Sequence, residues 1–189
     1  MSAILIDLGS GKNKIKKDGF LVFGIDKWVK SDHDIRASVL ELPIKSNSVD
    51  YIYSRHLLEH FTYEQLIQIF KECFRILKEN GTFEIIVPHS SCISAFQDPT
   101  HRTFFTKRTF YKFSHTGFNV KQIQFHWFRK PYKGRFKFLV TVIEAILNRF
   151  QTLERFSYLI GGIYEVSCIM KKSSSNLNPF HVDGAKIGE

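Results

Sequence analysis

The stretch Ala3-Ile4-Leu5-Ile6-Asp7-Leu8-Gly9-Ser10-Gly11 decides the fold. An apolar run interrupted only by Asp7 and closed by two glycines reads as a strand buried on both faces that turns sharply at its carboxyl end. Working outward, Phe20–Ile25 ending at Asp26, Val49–Tyr53 ending at Ser54 and Thr82–Val87 ending at Pro88 have the same form. Four short buried strands predict a parallel sheet. Between the third and fourth, Thr62 and Gln65 make a capping box, and Leu66, Ile69, Phe70, Cys73, Phe74, Ile76 and Leu77 recur at helical spacing up to a stop at Asn80-Gly81. This order of strand, turn and helix predicts right-handed crossovers in an open α/β sheet, with ligands at the carboxyl ends of the strands.

Beyond Pro88 the regularity fails until Val120–Trp127, so about 89–118 reads as an insertion on the substrate side. Phe136–Phe150 is apolar enough for a buried helix and too short to cross a bilayer. Gly161-Gly162 leads into a final strand over Ile163–Met170. A chain of 189 residues with 43% hydrophobic and 24% charged residues makes one domain, expected over 1–172, and a polar tail over 173–189 expected to be disordered. Disordered, collagenous and fibrous classes are excluded. Cys73, Cys92 and Cys168 are odd in number and irregular in spacing, which argues against a disulfide framework and against a structural zinc site. With no basic segment followed by an apolar one at the start, the expectation is a reducing, cytoplasmic compartment. No metal site is expected.

The formal charge of +9 is localised. From Pro99 to Ile143 there are ten Lys or Arg and no Asp or Glu, against seventeen and eighteen in the remainder, so one segment makes the whole chain basic. Such a segment concentrates anionic partners, whether nucleic acid, phosphorylated small molecules or acidic lipid headgroups.

Three cofactors use a glycine turn at a strand end. A nucleoside triphosphate loop needs a glycine five residues before Gly-Lys and a Ser or Thr after it; here Ile6 and Asn13 stand at those places. A dinucleotide site needs a third glycine three residues after the second, and position 14 is Lys. S-adenosylmethionine suits the turn better: its carboxylate fits exposed amides, and its ribose diol fits Asp26 at the end of the second strand, since a carboxylate accepts both hydroxyl protons.

Taken together, Ile4–Gly11, Phe23–Asp26, Glu41-Leu42-Pro43-Ile44 with Asn47-Ser48-Val49-Asp50, His56-Leu57-Leu58-Glu59-His60 and Leu77–Pro88 stand in the order of a known family. The chain resembles the class I S-adenosylmethionine-dependent methyltransferases, in their small single-domain branch with Leu-Pro and Leu-Glu-His signatures. The resemblance implies a Rossmann-like α/β fold, a mostly parallel seven-stranded sheet with an antiparallel last strand and helices on both faces. It also implies that Asp7 supports the methionine end of the cofactor, that Gly9, Ser10 and Gly11 line it, that Asp26 takes the ribose and that Lys27 and Trp28 flank the adenine. Ser38 stands where the family often has an Asp for the adenine, and Ser54 and His56 would border the methyl-bearing sulfur. The linker from Lys12 to Gly19 leaves room for a helix of about two turns.

Methyl transfer is an in-line displacement in which positioning supplies much of the rate, and a base is needed only for a hydroxyl or similar acceptor. His101 is the candidate base, oriented by Asp98, with His56 a second candidate; His89 and Arg102 are candidates for holding the acceptor. An Asp-Pro-Thr-His run is equally a turn former, so both readings of His101 stand. His60 reads as a packing residue, and Lys12, Lys14, Lys16 and Lys17 as a solvated face.

The basic segment also holds twelve aromatics, among them Phe104, Phe105, Phe110, Phe125, Trp127 and Tyr132. Bases and rings interleaved in this way stack on RNA, hold a phosphorylated sugar or lie on an anionic lipid surface. The Asn-Pro-Pro-Tyr-type motif of exocyclic-amine nucleic acid methyltransferases is absent, Ser54-Arg55-His56 standing in its place, which lowers the RNA reading. The expectation is methylation at oxygen of a small-molecule or glycan-type acceptor, acidic or phosphorylated, with peripheral membrane contact allowed. RNA methylation, and a non-catalytic cofactor-binding module docking on an anionic partner, are the alternatives.

Overall fold

In the computed structural model, residues 2–28, 34–129 and 132–173 are described; the expected tail lies outside them apart from Ser173. The glycine-closed run forms β1 (Ala3–Leu8), followed by β2 (Phe20–Asp26), β3 (Ile35–Arg36), β4 (Val49–Arg55), α1 (Tyr63–Ile76), β5 (Leu77–Pro88), α2 (Ser94–Gln97), α3 (Lys107–Lys112), β6 (Phe118–His126), α4 (Lys137–Arg149) and β7 (Glu165–Lys172). Short 3₁₀ segments lie at Leu58–His60, Ser114–Thr116 and Gln151–Ile160. The seven strands form one sheet in the order β3-β2-β1-β4-β5-β7-β6. β1 pairs in parallel with β2 and β4, β4 with β5, and β7 is antiparallel to both β5 and β6.

The central strands are apolar because both of their faces are covered: Leu5, Leu8, Ile25, Ile52, Phe83 and Ile85 are fully buried. α1 lays Leu66, Ile69, Phe70, Cys73 and Ile76 into this core. Phe70 stacks on Phe113 with centroids 4.4 Å apart and meets Phe83 and Phe118 edge-on or tilted, so the insertion is pinned to the sheet by rings worth roughly 1.5–3 kcal/mol each on burial. The capping box is present, the Thr62 side chain accepting from the Gln65 amide and the Gln65 side chain accepting from the Thr62 amide at 3.0 Å.

Three expectations change. α1 ends at Ile76, before Asn80-Gly81, because the amides of Asn47 and Ser48 donate to the Arg75 and Ile76 carbonyls at 2.9 Å and close the helix end; Asn80, with φ +60°, is a kink inside β5. No helix forms between Lys12 and Gly19. The Gly11 amide donates to Asp26 Oδ2 at 3.1 Å and the Ile15 amide to Asp7 Oδ2 at 2.8 Å, so strand-end carboxylates capture amides that a helix would have used. The segment is held down instead by ion pairs, Lys14 with Asp34 at 2.8 Å and Lys17 with Glu84 at 3.5 Å, so two of the four lysines are tethers. Finally, α4 is a surface helix: only Val140, Glu144 and Leu147 are buried, while Phe136 and Phe138 are 66% and 83% exposed.

Candidate active site

The turn after β1 is shaped by two glycines in the left-handed region, Gly9 at φ +67° and Gly11 at φ +58°. A Cβ on Gly9 would lie 2.8 Å from Leu57 Cδ1, so the turn is also a close approach of backbone to a neighbouring side chain. The Gly9 and Ser10 amides both donate to the Ile25 carbonyl, at 2.8 and 3.2 Å, which ties the turn to the end of β2. There Asp26 braces the same bed, taking the Gly11 amide on Oδ2 and the Trp28 amide on Oδ1 at 2.8 Å. Strand register places Ser54 beside Leu8 at the far side of the turn.

Around this bed, Asp7, Gly9, Ser10, Asn13, Tyr53 and Arg55 line a cavity of about 290 Å³. Burial pushes the Asp7 carboxyl up to about 6, with the Ile15 amide opposing it. The hydroxyls of Ser10 and Ser54 are buried with no hydrogen-bond partner among the described residues. Buried hydroxyls in a native fold are ordinarily satisfied, so two orphans flanking a glycine turn are a candidate place for a polar ligand. The Gly9, Ser10 and Gly11 amides, expected to be exposed for the methionine carboxylate, are instead taken by the Ile25 carbonyl and by Asp26, so the two hydroxyls and the remaining acceptor capacity of the carboxylate ending β2 are what the bed offers the polar groups of S-adenosylmethionine. Lys27 and Trp28 stand at the rim, the Lys27 ammonium 4.8 Å from the indole centroid, and Trp28 is 77% exposed. Ser38 is in a turn beyond β3, its hydroxyl accepting from the Leu40 amide at 3.3 Å.

A second cavity of about 640 Å³ adjoins the first and shares His56 and Arg129 with it. Its other lining includes Glu59, His60, Asp98, His101 and Tyr164. His56 sits at φ +51°, a strained conformation for a residue with a side chain, held by its amide donating to the Ile86 carbonyl at 2.9 Å. Its ring is clamped between Glu165 Oε1 at 2.8 Å and Glu59 Oε1 at 3.3 Å. Burial disfavours the imidazolium, but the hydrogen bonds to Glu165 and Glu59 outweigh it and push the pKa up to about 9, so His56 is a cation at neutral pH. Glu165, opposed in the same way by its burial, is held below the usual carboxylate range by His56 and by Arg55 at 3.0 Å.

His101 lies on the wall of the second cavity. Its Nδ1 is 2.8 Å from the Ala95 carbonyl, and its Nε2 is 4.0 Å from both Glu59 Oε1 and Asp98 Oδ2. Asp98 also makes the turn, accepting from the Thr100 amide at 2.9 Å and the Thr100 hydroxyl at 2.6 Å, bonds that hold its carboxyl below the usual range. The two sequence readings of this run are therefore compatible. Arg102 is exposed and lines neither cavity; its amide donates to the Glu59 carbonyl at 2.7 Å. His89 is drawn elsewhere, with Nδ1 at 2.8 Å from Ser91 Oγ and Nε2 at 2.8 Å from Glu154 Oε1, facing a separate cavity of about 510 Å³ beside α3. Glu59, Glu165 and Arg129 are the members of the site that the sequence reading passed over. Glu59 had a signal, a carboxylate in the Leu-Glu-His signature, whereas Glu165 meets His56 across 109 positions.

Comparison with known proteins bears on the family and the fold. Residues 8–85 match the family described as a methyltransferase domain. No curated protein matches the sequence. Among solved structures, an S-adenosylmethionine-dependent methyltransferase from Archaeoglobus fulgidus is similar at 19% identity and TM-score 0.66, over 90% of this chain and 86% of that one. A methyltransferase of Haloferax volcanii, solved with the Trm112 activator, is similar at 18% identity and TM-score 0.61, over 91% and 83%. Phosphoethanolamine N-methyltransferase 2 of Haemonchus contortus, solved with phosphomonomethylethanolamine and S-adenosylhomocysteine, is similar at 15% identity and TM-score 0.57, over 92% and 49%.

Proposed function

We propose that this chain, whose residues 8–85 match a methyltransferase domain, is a class I S-adenosylmethionine-dependent methyltransferase that methylates an oxygen of an acidic or phosphorylated, glycan-type acceptor presented at an anionic lipid surface. The observation that carries the reading is the pair of cavities joined at His56 and Arg129. The smaller is the start of the cofactor bed, lined by Asp7, Gly9 and Ser10; Gly11, Asp26 and Ser54, with Lys27, Trp28 and Ser38 on the adenine side, stand outside that lining and would extend the bed along the strand ends. The larger receives the acceptor. When bound, the cofactor supplies an electrophilic methyl group on a sulfonium, at the junction of the two.

Each side chain then has a part set by its charge. Arg129 faces both cavities and attracts an anionic group of the acceptor toward the junction, while His56, an imidazolium with Nδ1 on Glu59 and Nε2 on Glu165, holds those two carboxylates in place. As a cation His56 donates rather than accepts, so the proton of an acceptor hydroxyl is left to His101 and Glu59. His101 Nε2, whose neighbour Nδ1 is spent on Ala95, is the basic nitrogen within the cavity. Asp98 orients the loop that carries it. His89 acts from a distance by fixing the start of the insertion against Glu154.

The lipid surface is supported by α4 and the 3₁₀ segment that follows. Phe136, Phe138, Leu139, Phe150, Phe156 and Leu159 are all at least half exposed, interleaved in the chain with exposed Lys133, Arg135, Lys137, Arg149 and Arg155. Apolar side chains in this density with basic neighbours match the composition of interfacial segments, which bury rings below anionic headgroups. Among the described residues no helix is long and apolar enough to cross a membrane, so such contact would be peripheral. The Haemonchus neighbour, whose solved complex holds a phosphorylated small molecule, lends support to a phosphate-bearing acceptor.

The test uses isotopically labelled methyl donor with three acceptor sets: anionic sugars, the same sugars lipid-linked in anionic vesicles, and RNA. Label on a sugar oxygen, enhanced on vesicles and reduced by Phe138→Asp with Leu159→Asp, is expected. Label confined to RNA, or to nitrogen, overturns the reading.

A further inference from the structure

The acceptor cavity contains a cluster that proton transfer alone does not explain. Glu59 is 2% exposed, and its Oε2 has no partner among the described residues, while Oε1 is engaged by His56. A buried carboxylate oxygen ordinarily has a donor, so one without is a place where a ligand fits. One ligand atom from each of Glu59, His60 and His101 lies within 4.8 Å of the others.

The tautomers of both histidines follow from their surroundings. His101 Nδ1 faces the Ala95 carbonyl, which only accepts, so Nδ1 carries a proton and Nε2 is the nitrogen left to face a ligand. Thr100 donates its hydroxyl proton to Asp98 at 2.6 Å, so toward His60 Nδ1, at 2.9 Å, its oxygen accepts, and Nε2 is likewise the nitrogen left on His60. His101 Nε2 lies 4.0 Å from both Glu59 Oε1 and Asp98 Oδ2, too far for a hydrogen bond to either. An N–H engaged by a backbone carbonyl on one histidine, and by a hydroxyl backed by a carboxylate on the other, is the outer-sphere arrangement that orients metal-ligating imidazoles.

We infer that Glu59, His60 and His101 form a binding site for one divalent transition-metal ion in the wall of the acceptor cavity. Two imidazoles and one carboxylate suit Zn²⁺, Co²⁺ or Fe²⁺, and three protein ligands leave an open position toward the cavity. An acceptor oxygen entering that position would be held and its proton acidified, which gives His101 a role as ligand in place of base. The metal site itself stands on the cluster; only its use in methyl transfer rests on the proposed function.

The probes are Co²⁺ and Zn²⁺ added to chelator-treated full-length protein, read by equilibrium dialysis with elemental analysis and, for Co²⁺, by ligand-field absorption. One bound equivalent is expected, with the spectrum of a low-coordinate nitrogen and oxygen site. Glu59→Gln and His101→Gln should each weaken binding at least about 100-fold, and Thr100→Val about 10-fold through loss of the outer contact. His115→Gln, at an exposed histidine bonded to the Lys112 carbonyl, should bind as the unaltered protein does. Substoichiometric binding, or equal affinity in His101→Gln with its fold intact by circular dichroism, overturns the site. S-adenosylhomocysteine affinity, measured on the same samples, reports separately on the methyl-transfer reading: its absence would sink that reading and leave the metal stoichiometry to stand on its own.

Discussion

Asp7→Asn separates the stability of the fold from its function. The carboxyl of Asp7 titrates near 6 instead of near 3.8 because the fold buries it, and one pKa unit is about 1.4 kcal/mol. Between those two values the folded state binds more protons than the unfolded chain, so stability falls as pH rises through the window and the full deficit, about 3 kcal/mol, is present above pH 6. Asparagine keeps an oxygen for the Ile15 amide but carries no charge; losing a charge-assisted hydrogen bond returns about 1 kcal/mol of the gain. The ligand-free variant should therefore be more stable than the unaltered protein by about 2 kcal/mol at pH 8, or roughly 4–8 °C in Tm, and the difference should vanish near pH 4. Cofactor affinity should move the other way: the carboxylate serves the cationic methionine end, so S-adenosylhomocysteine should bind the variant at least about 10-fold more weakly. Urea unfolding across pH and calorimetric titration measure the two effects. A variant destabilised at pH 8, or one that binds the nucleoside as tightly as before, refutes the argument.

Ser10→Ala with Ser54→Ala should raise the stability of the ligand-free protein by about 1–3 kcal/mol, since two unpartnered buried hydroxyls are removed, and should weaken S-adenosylhomocysteine binding; unchanged affinity in calorimetry would place the ligand elsewhere. Gly9→Ala puts a Cβ against Leu57 at a positive φ and should cost about 1–3 kcal/mol in urea unfolding along with most cofactor binding, whereas Gly19→Ala, with open space around it, should pay only the backbone strain and leave binding intact. Glu165→Ala leaves Arg55 and His56 without their shared carboxylate and should destabilise by about 3 kcal/mol; a Tm within 2 °C of the parent would show that the clamp contributes little.

The parts of this protein that local chemistry decides were readable from the chain. A glycine-closed apolar run, a capping box and a strand-end aspartate are each specified within a few residues, and all three are found as expected. Where nonlocal partners decide, the reading stopped short. Asp7 and Asp26 divert the amides on which a helix after Gly11 would depend, a competition visible only once β1 and β2 lie side by side. Apolar density in α4 suggested burial, yet only Val140, Glu144 and Leu147 are covered. His101 and Asp98 were proposed by residue type, but Glu59, 42 positions earlier than His101, and Glu165, 109 positions after His56, come near them only in the folded chain. His89 and His101 looked alike in sequence; Glu154, from the 3₁₀ segment after α4, draws His89 into a different network.

The missing helix after the glycine turn has its own consequence. A packed helix would roof the nucleoside bed with apolar contacts that ionic strength scarcely touches. Here the covering flap is fastened at Lys14 and Lys17 by half-exposed charges, each fastening worth at most about 1 kcal/mol and weakened by electrolyte. With so few fastenings, residues 12–19 should exchange their amide hydrogens earlier than β1 does, and the difference should widen as salt is added.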